Sequence, residues 1–153
     1  MTSRTGILLL VSGPSGSGKT TLCRRLSDED EAHYSISCTT RPPREGEVDG
    51  RDYHFLDRDD FQARIKAGEF LEHAEVHGNH YGTLKSEVLD FVSKGHDVVM
   101  DIDVQGADQV RSCRDSAIEA ALIDLFVMPP SETELRARLT GRGTDAEDVI
   151  ALR

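Results

Sequence analysis

No stretch of this chain approaches the roughly twenty consecutive apolar residues that a membrane-crossing helix needs, so no membrane partner is expected. Cysteine is scarce. Cys23, Cys38 and Cys113 are odd in number and never fall in C-x-x-C spacing, which indicates neither a disulfide framework nor a structural zinc site. A reducing, cytoplasmic setting is the expectation. Basic residues are in deficit: 18 Lys and Arg against 28 Asp and Glu leave a formal charge of −10, a mean field that repels nucleic acid. The histidines at 33, 54, 73, 77, 80 and 96 show no ligand spacing with the cysteines and read as surface or packing residues. Internal repeats and low-complexity tracts are missing too. The apolar run at 7–12 follows an arginine but precedes no small-residue cleavage site, so it reads as a core strand and not a signal peptide.

What is present begins directly after that run. Gly13-Pro14-Ser15-Gly16-Ser17-Gly18-Lys19-Thr20 fits G-x-x-x-x-G-K-[ST], with Thr21 a further phosphate-binding candidate, and it runs into a helical stretch whose Leu22 and Leu26 are spaced i, i+4. Glycines let successive backbone N–H groups converge on phosphate oxygens, and the helix N-terminus adds its positive end. Lys19 would reach the β/γ-phosphates of a nucleotide, and the Thr20 hydroxyl would ligate Mg²⁺. Bound phosphates need local positive charge in an acidic chain. Arg41 and Arg44 flank a Pro-Pro pair, and Arg136, Arg138 and Arg142 fall in a stretch free of acids.

The 153 residues suit one domain, or one domain with an insert, at 37% apolar and 30% charged composition. A strand at 7–12 and a helix at 19–27 are followed by a segment of different character, from about 34 to 95. That segment has short β-like pieces at 34–37, 53–56 and 70–76 and two helices, one capped by Asp57 over 60–67, the other by Thr83 over 85–93. The α/β rhythm then resumes with a buried strand at 98–102, a helix at 104–112 and an apolar strand at 122–127. Ser131 and Glu134 form a capping box opening a helix to about 140. Strands alternating with helices predict a parallel sheet with helices on both faces. Asp101 closes the second buried strand beside the phosphate loop, at the carboxyl edge where ligands gather; it could hold Mg²⁺ directly or through water, and Asp103 is a weaker second candidate.

The blocks Ser35 to Phe55, Phe70 to Glu75, Gly78 to Thr83, Asp101 to Gly106, Pro129 to Ser131 and Gly141 to Thr144 occur in an order that resembles guanylate kinase. The resemblance runs from about residue 7 to 153, and family members carry several tens of further residues, apparently a C-terminal strand and helix. It implies a P-loop α/β core at 1–33 and 96–153, a helical lid at about 136–148 and an inserted mixed α+β GMP-binding part at 34–95. The implied reaction transfers the γ-phosphoryl group of MgATP to GMP, giving ADP and GDP. Its implied site assigns the GMP phosphate to Arg41, Arg44, Tyr53 and Tyr81, and the base to Glu72, Ser37, Gly82 and Thr83. Guanine offers N1–H and a 2-amino group, two donors that one carboxylate can accept, whereas adenine offers a lone pair at N1. Asp101 would also touch the acceptor, and Lys19, Arg138, Arg142 and Arg153 would neutralise transition-state charge.

Two other readings compete. Guanylate-kinase-like domains used for protein recognition resemble the enzyme but have lost the phosphate loop, which is intact here. A shortened, weakly active or inactive nucleotide-binding product is the second, since a missing strand would leave an apolar sheet edge open to self-association.

Overall fold

The computed structural model describes residues 4–29 and 32–141. Two four-stranded sheets organise them. The first is wholly parallel in the order β2 (His33–Tyr34), β7 (Val98–Asp101), β1 (Leu8–Ser12), β8 (Leu122–Phe126). The second is mixed, in the order β4 (His54–Phe55), β3 (Cys38–Thr39), β6 (Asn79–Leu84), β5 (Phe70–Val76).

Side-chain alternation along the central strands splits the core into two layers. Leu8, Leu10, Val98 and Met100 face α3 (Lys85–Val92), α4 (Val104–Arg111) and α5 (Ser116–Ala121), burying Val88, Val92, Ala107, Val110, Ile118 and Ala121. Val11 and Val99 face the other way, onto Cys23 of α1 (Lys19–Asp28). Both faces of β1 and β7 are therefore covered, as near-continuous apolar runs require. A third cluster holds the second sheet: Phe61 of α2 (Arg58–Lys66) stacks on Phe70 at 4.4 Å, with Cys38 beside them. Cys23 and Cys38 are buried free thiols, and Cys113 is partly exposed.

Local chemistry explains most boundaries. Asp57 caps α2 by accepting from the Asp60 N–H, and Gly68 closes the helix region at φ 69°. Ser131 Oγ accepts from the Glu134 N–H at 3.1 Å to open α6 (Glu132–Gly141). Three expectations are corrected. Thr83 does not cap α3: Leu84 holds that position without a side-chain bond, and the Thr83 hydroxyl goes to Glu72. The strand expected over 98–102 stops at Asp101, so Asp103 lies beyond it, where it caps α4 through the Gly106 N–H at 2.8 Å while still bordering the same cleft as Asp101. Tyr34, expected in the middle segment, belongs with His33 to the parallel sheet. Helix α5, capped by Asp115, was not expected at all.

Strand β8 is the exposed edge. Ile123, Leu125, Phe126 and, just beyond, Met128 present apolar surface. The lid span 142–148, with Arg142 and Arg153, lies outside the described residues.

Candidate active site

β1 delivers the chain into the loop at 13–18, and α1 leaves it. Three loop glycines take positive φ: Gly13 at 144°, Gly16 at 85° and Gly18 at 98°. At Gly13 the need is steric as well, since a Cβ would stand 2.2 Å from the Val127 carbonyl oxygen. Gly18 occupies the N-cap of α1 and supplies no side-chain acceptor, so the first N–H groups of the helix keep their bonding capacity. Lys19 Nζ folds back over the loop and donates to the Gly13 and Pro14 carbonyls at 2.8 and 3.1 Å. Buried Ser17 carries a hydroxyl with no partner among the described residues. Thr20 Oγ1 donates to Asp101 Oδ2 in a short contact, bringing two oxygen donors together at the loop's exit. Tyr34 Oη reaches the same carboxylate oxygen at 3.4 Å; burial, then the Asp101 charge, push its phenol above the ordinary value.

A cleft of about 910 Å³ runs from this loop to the second sheet, and its walls include Lys19, Thr20, Asp101, Ser37, Glu47 and Tyr53. On the far wall Arg41 is clamped by Glu47, whose two carboxylate oxygens accept from Nη2 at 2.8 and 3.0 Å. The same carboxylate accepts the Arg44 N–H at 2.7 Å, so one acid shapes the turn that carries both arginines. Arg41 lies 5.4 Å from the Tyr53 ring centre, and Tyr53 meets Tyr81 edge-on at 6.2 Å. The structure thus gathers Arg41, Tyr53 and Tyr81, with Arg44 exposed beside them.

Between loop and clamp lies a polar chain. Thr83 Oγ1 donates to Glu72 Oε1 at 2.8 Å, and Ser37 Oγ lies 3.3 Å from Thr83. Thr83 has a single proton, already committed to Glu72, so Ser37 donates to Thr83 and turns an acceptor towards the cleft. Gly82 pairs with Cys38, and a Cβ there would press on the Glu72 carbonyl at 2.7 Å. Burial raises the Glu72 carboxyl above its usual range, against the Thr83 bond. Gly106 is its close neighbour: a Cβ there would stand 3.2 Å from Glu72 Oε2.

Arg138 sits apart from this chain, paired with Glu134 at 2.9 Å, on a shallow depression shared with Gly16, Gly18 and Thr21. Sequence reasoning did not single out Glu47, Arg24, Arg51 or Tyr34, which also border the cleft. For Glu47 a signal existed: an acid three residues beyond Arg44 in a Gly-containing turn is placed to hold it.

A parallel sheet whose first strand feeds a glycine loop and helix, with a polar cleft at the carboxyl ends, defines a P-loop nucleotide-binding α/β protein. The family model described as guanylate kinase matches residues 5–153. Guanylate kinase of Cereibacter sphaeroides is 51% identical over 99% of this chain and 71% of that one, and that of Alkalilimnicola ehrlichii is 53% identical over 95% and 70%. The crystal structure of guanylate kinase from Anaplasma phagocytophilum superposes with a TM-score of 0.65 at 37% identity, covering 92% of this chain and 70% of that one. The chain belongs to the guanylate kinase family. It spans about seven tenths of the length of these relatives.

Proposed function

We propose that this chain transfers the γ-phosphoryl group of ATP to GMP, with the donor phosphates on the 13–21 loop and GMP across the cleft. The observation that carries this reading is the buried Glu72 carboxylate, held by one hydroxyl donor and desolvated enough that further donors are needed to satisfy it. Guanine N1–H and its amino group supply them. Ser37 offers its acceptor oxygen to the same base. Arg41, Arg44, Tyr53 and Tyr81 take the GMP phosphate, and prior pairing of Arg41 with Glu47 means its fork is already oriented. Arg41 therefore exchanges or shares a partner when phosphate arrives.

Thr20 and Asp101 form an oxygen-only pair suited to a hard cation, and they would hold Mg²⁺ with water and phosphate oxygens completing its shell. Held there, Mg²⁺ would supply neutralisation of phosphate charge. Lys19 exchanges its loop carbonyls for phosphate oxygens, Asp101 orients the acceptor, and Arg138, with Arg142 and Arg153, neutralises equatorial charge from the lid side. The proposed division of labour is a loop-bearing core at 1–33 and 96–153 and a GMP part at 34–95, although α3 of that part packs into the core through Val88 and Val92. Coupled measurement of ADP formation with GMP and with AMP tests the reading. GMP-dependent turnover with little AMP activity is expected; equal rates would refute it.

A further inference from the structure

The connector between β2 and β3 is held residue by residue from three different elements. The Ser35 N–H donates to the Val99 carbonyl of β7 at 3.0 Å. The Ile36 N–H donates to Glu87 Oε1 of α3 at 3.0 Å. The Ser37 carbonyl accepts the His54 N–H at 2.9 Å. Only the middle tie depends on a side chain.

That side chain is itself braced on both sides. His33 Nε2 lies 2.7 Å from Glu87 Oε1, and His54 Nε2 lies 3.5 Å from Oε2. The His33 ring is fixed in turn by stacking on Phe91 at 3.7 Å, 7° from parallel. Against the burial that would raise it, these partners hold the Glu87 carboxyl below its usual range. Glu87 thus joins β2 of one sheet, β4 of the other and α3 through one half-buried carboxylate.

We infer that Glu87 is a positioning residue for the base pocket: by fixing the Ile36 amide it sets Ser37 against Thr83 and Glu72. This rests on the guanine reading of that pocket. Ser37 reaches Thr83 at 3.3 Å, near the limit of a hydrogen bond, so even a slight release of the connector breaks the chain that ends on Glu72. A rigid connector keeps the Ser37 acceptor in place before the base arrives.

The experiment compares Glu87→Ala, Glu87→Asp and Glu87→Gln in the full chain, using calorimetric GMP and ATP binding and steady-state kinetics. Glu87→Ala should weaken GMP binding about tenfold with ATP binding little moved. Glu87→Asp, one methylene short of the Ile36 amide, should do the same even where the alanine form is too unstable to study. Glu87→Gln keeps an acceptor for that amide and should restore most of the affinity. In a Ser37→Ala background the Glu87→Ala loss should shrink well below additivity. A merely structural role would lower the melting temperature and the active fraction yet leave the GMP KM in place, and that outcome overturns the inference. Normal GMP binding by Glu87→Asp overturns it equally. Failure of the unaltered protein to bind GMP removes the guanine reading, and this inference falls with it.

Discussion

Thr83 Oγ1 donates to Glu72 Oε1 across neighbouring antiparallel strands, a buried contact of 2.8 Å that leaves the second carboxylate oxygen for a ligand. The proposed base selection rests on that oxygen. Glu72→Gln presents one donor and one acceptor where guanine needs two acceptors. We expect the GMP KM to rise about 10–100-fold, with a smaller change for AMP, so the ratio of kcat/KM values narrows. Acceptor kinetics on the variant check it, and an unaltered ratio would remove Glu72 from base recognition.

The same burial makes acceptor binding and folding respond oppositely to pH. Folded Glu72 holds its proton more tightly than the unfolded chain does. Its contribution to stability is complete below the ordinary carboxylate range and fades as pH rises through the raised folded value. GMP requires the ionised form, so its affinity should climb over that interval. Glu87 acts in the reverse sense on stability, losing its contribution as pH falls through its depressed value. The difference between unaltered protein and Glu72→Gln isolates the first effect: in melting and GMP titrations from pH 4 to 8 that difference should fall with pH for stability and rise for GMP affinity, while the Glu87 contribution persists in both proteins.

Lys19, proposed to act on phosphates, is half-buried on its loop and its ammonium donates to two carbonyls of that loop. Lys19→Ala should reduce turnover about 10²–10³-fold while the melting temperature of the ligand-free protein barely moves. Circular dichroism melting beside the kinetic assay decides this. A large fall in stability would mean the ammonium is a structural brace of the loop.

Arg41 and Glu47 form one unit, and removing either should act on GMP. Arg41→Ala takes away the fork proposed to receive the GMP phosphate and should raise the GMP KM about tenfold or more, leaving ATP affinity nearly intact. Calorimetry that showed ATP weakened and GMP unaffected would reassign the turn.

The β8 edge should promote association. Phe126, 51% exposed, and Ile123 stand on a strand that, among the described residues, pairs on one side only, with β1. Sedimentation at increasing concentration should show self-association that Phe126→Lys reduces. A monomer at all concentrations would count against this edge.

How far the sequence reached depended on whether a residue's partner was near in the chain. The 13–20 loop, the Asp57 cap and the Ser131 half of the Ser131–Glu134 box are local patterns that formed close to their expected places, while the Glu134 carboxylate pairs with Arg138. Thr83 was misjudged because its hydroxyl suits either a cap or a carboxylate, and the carboxylate lies eleven residues away on a paired strand. The strand boundary at 102 fell one residue late because Asp103 already serves the next helix as its cap. α5 runs straight into β8 with no Gly or Pro between, which hid the boundary. Glu87 acts through a tertiary contact on the Ile36 amide, 51 residues away, that no spacing rule reports, whereas Glu47 holds an amide only three residues off, a local signal that the turn chemistry carries.

The two buried thiols amount to a pair of clocks. Cys23 sits on the buried face of α1 and Cys38 in the second sheet, in separate apolar clusters. Burial pushes them up to about 12 and about 11, so an alkylating reagent waits for each to open before it meets a reactive thiolate. Cys113, partly exposed, starts the count at once. Labelling followed residue by residue would time the breathing of each sheet separately, without any engineered probe. ATP should slow the Cys23 clock and GMP the Cys38 clock, so each nucleotide would report its own docking in seconds or hours.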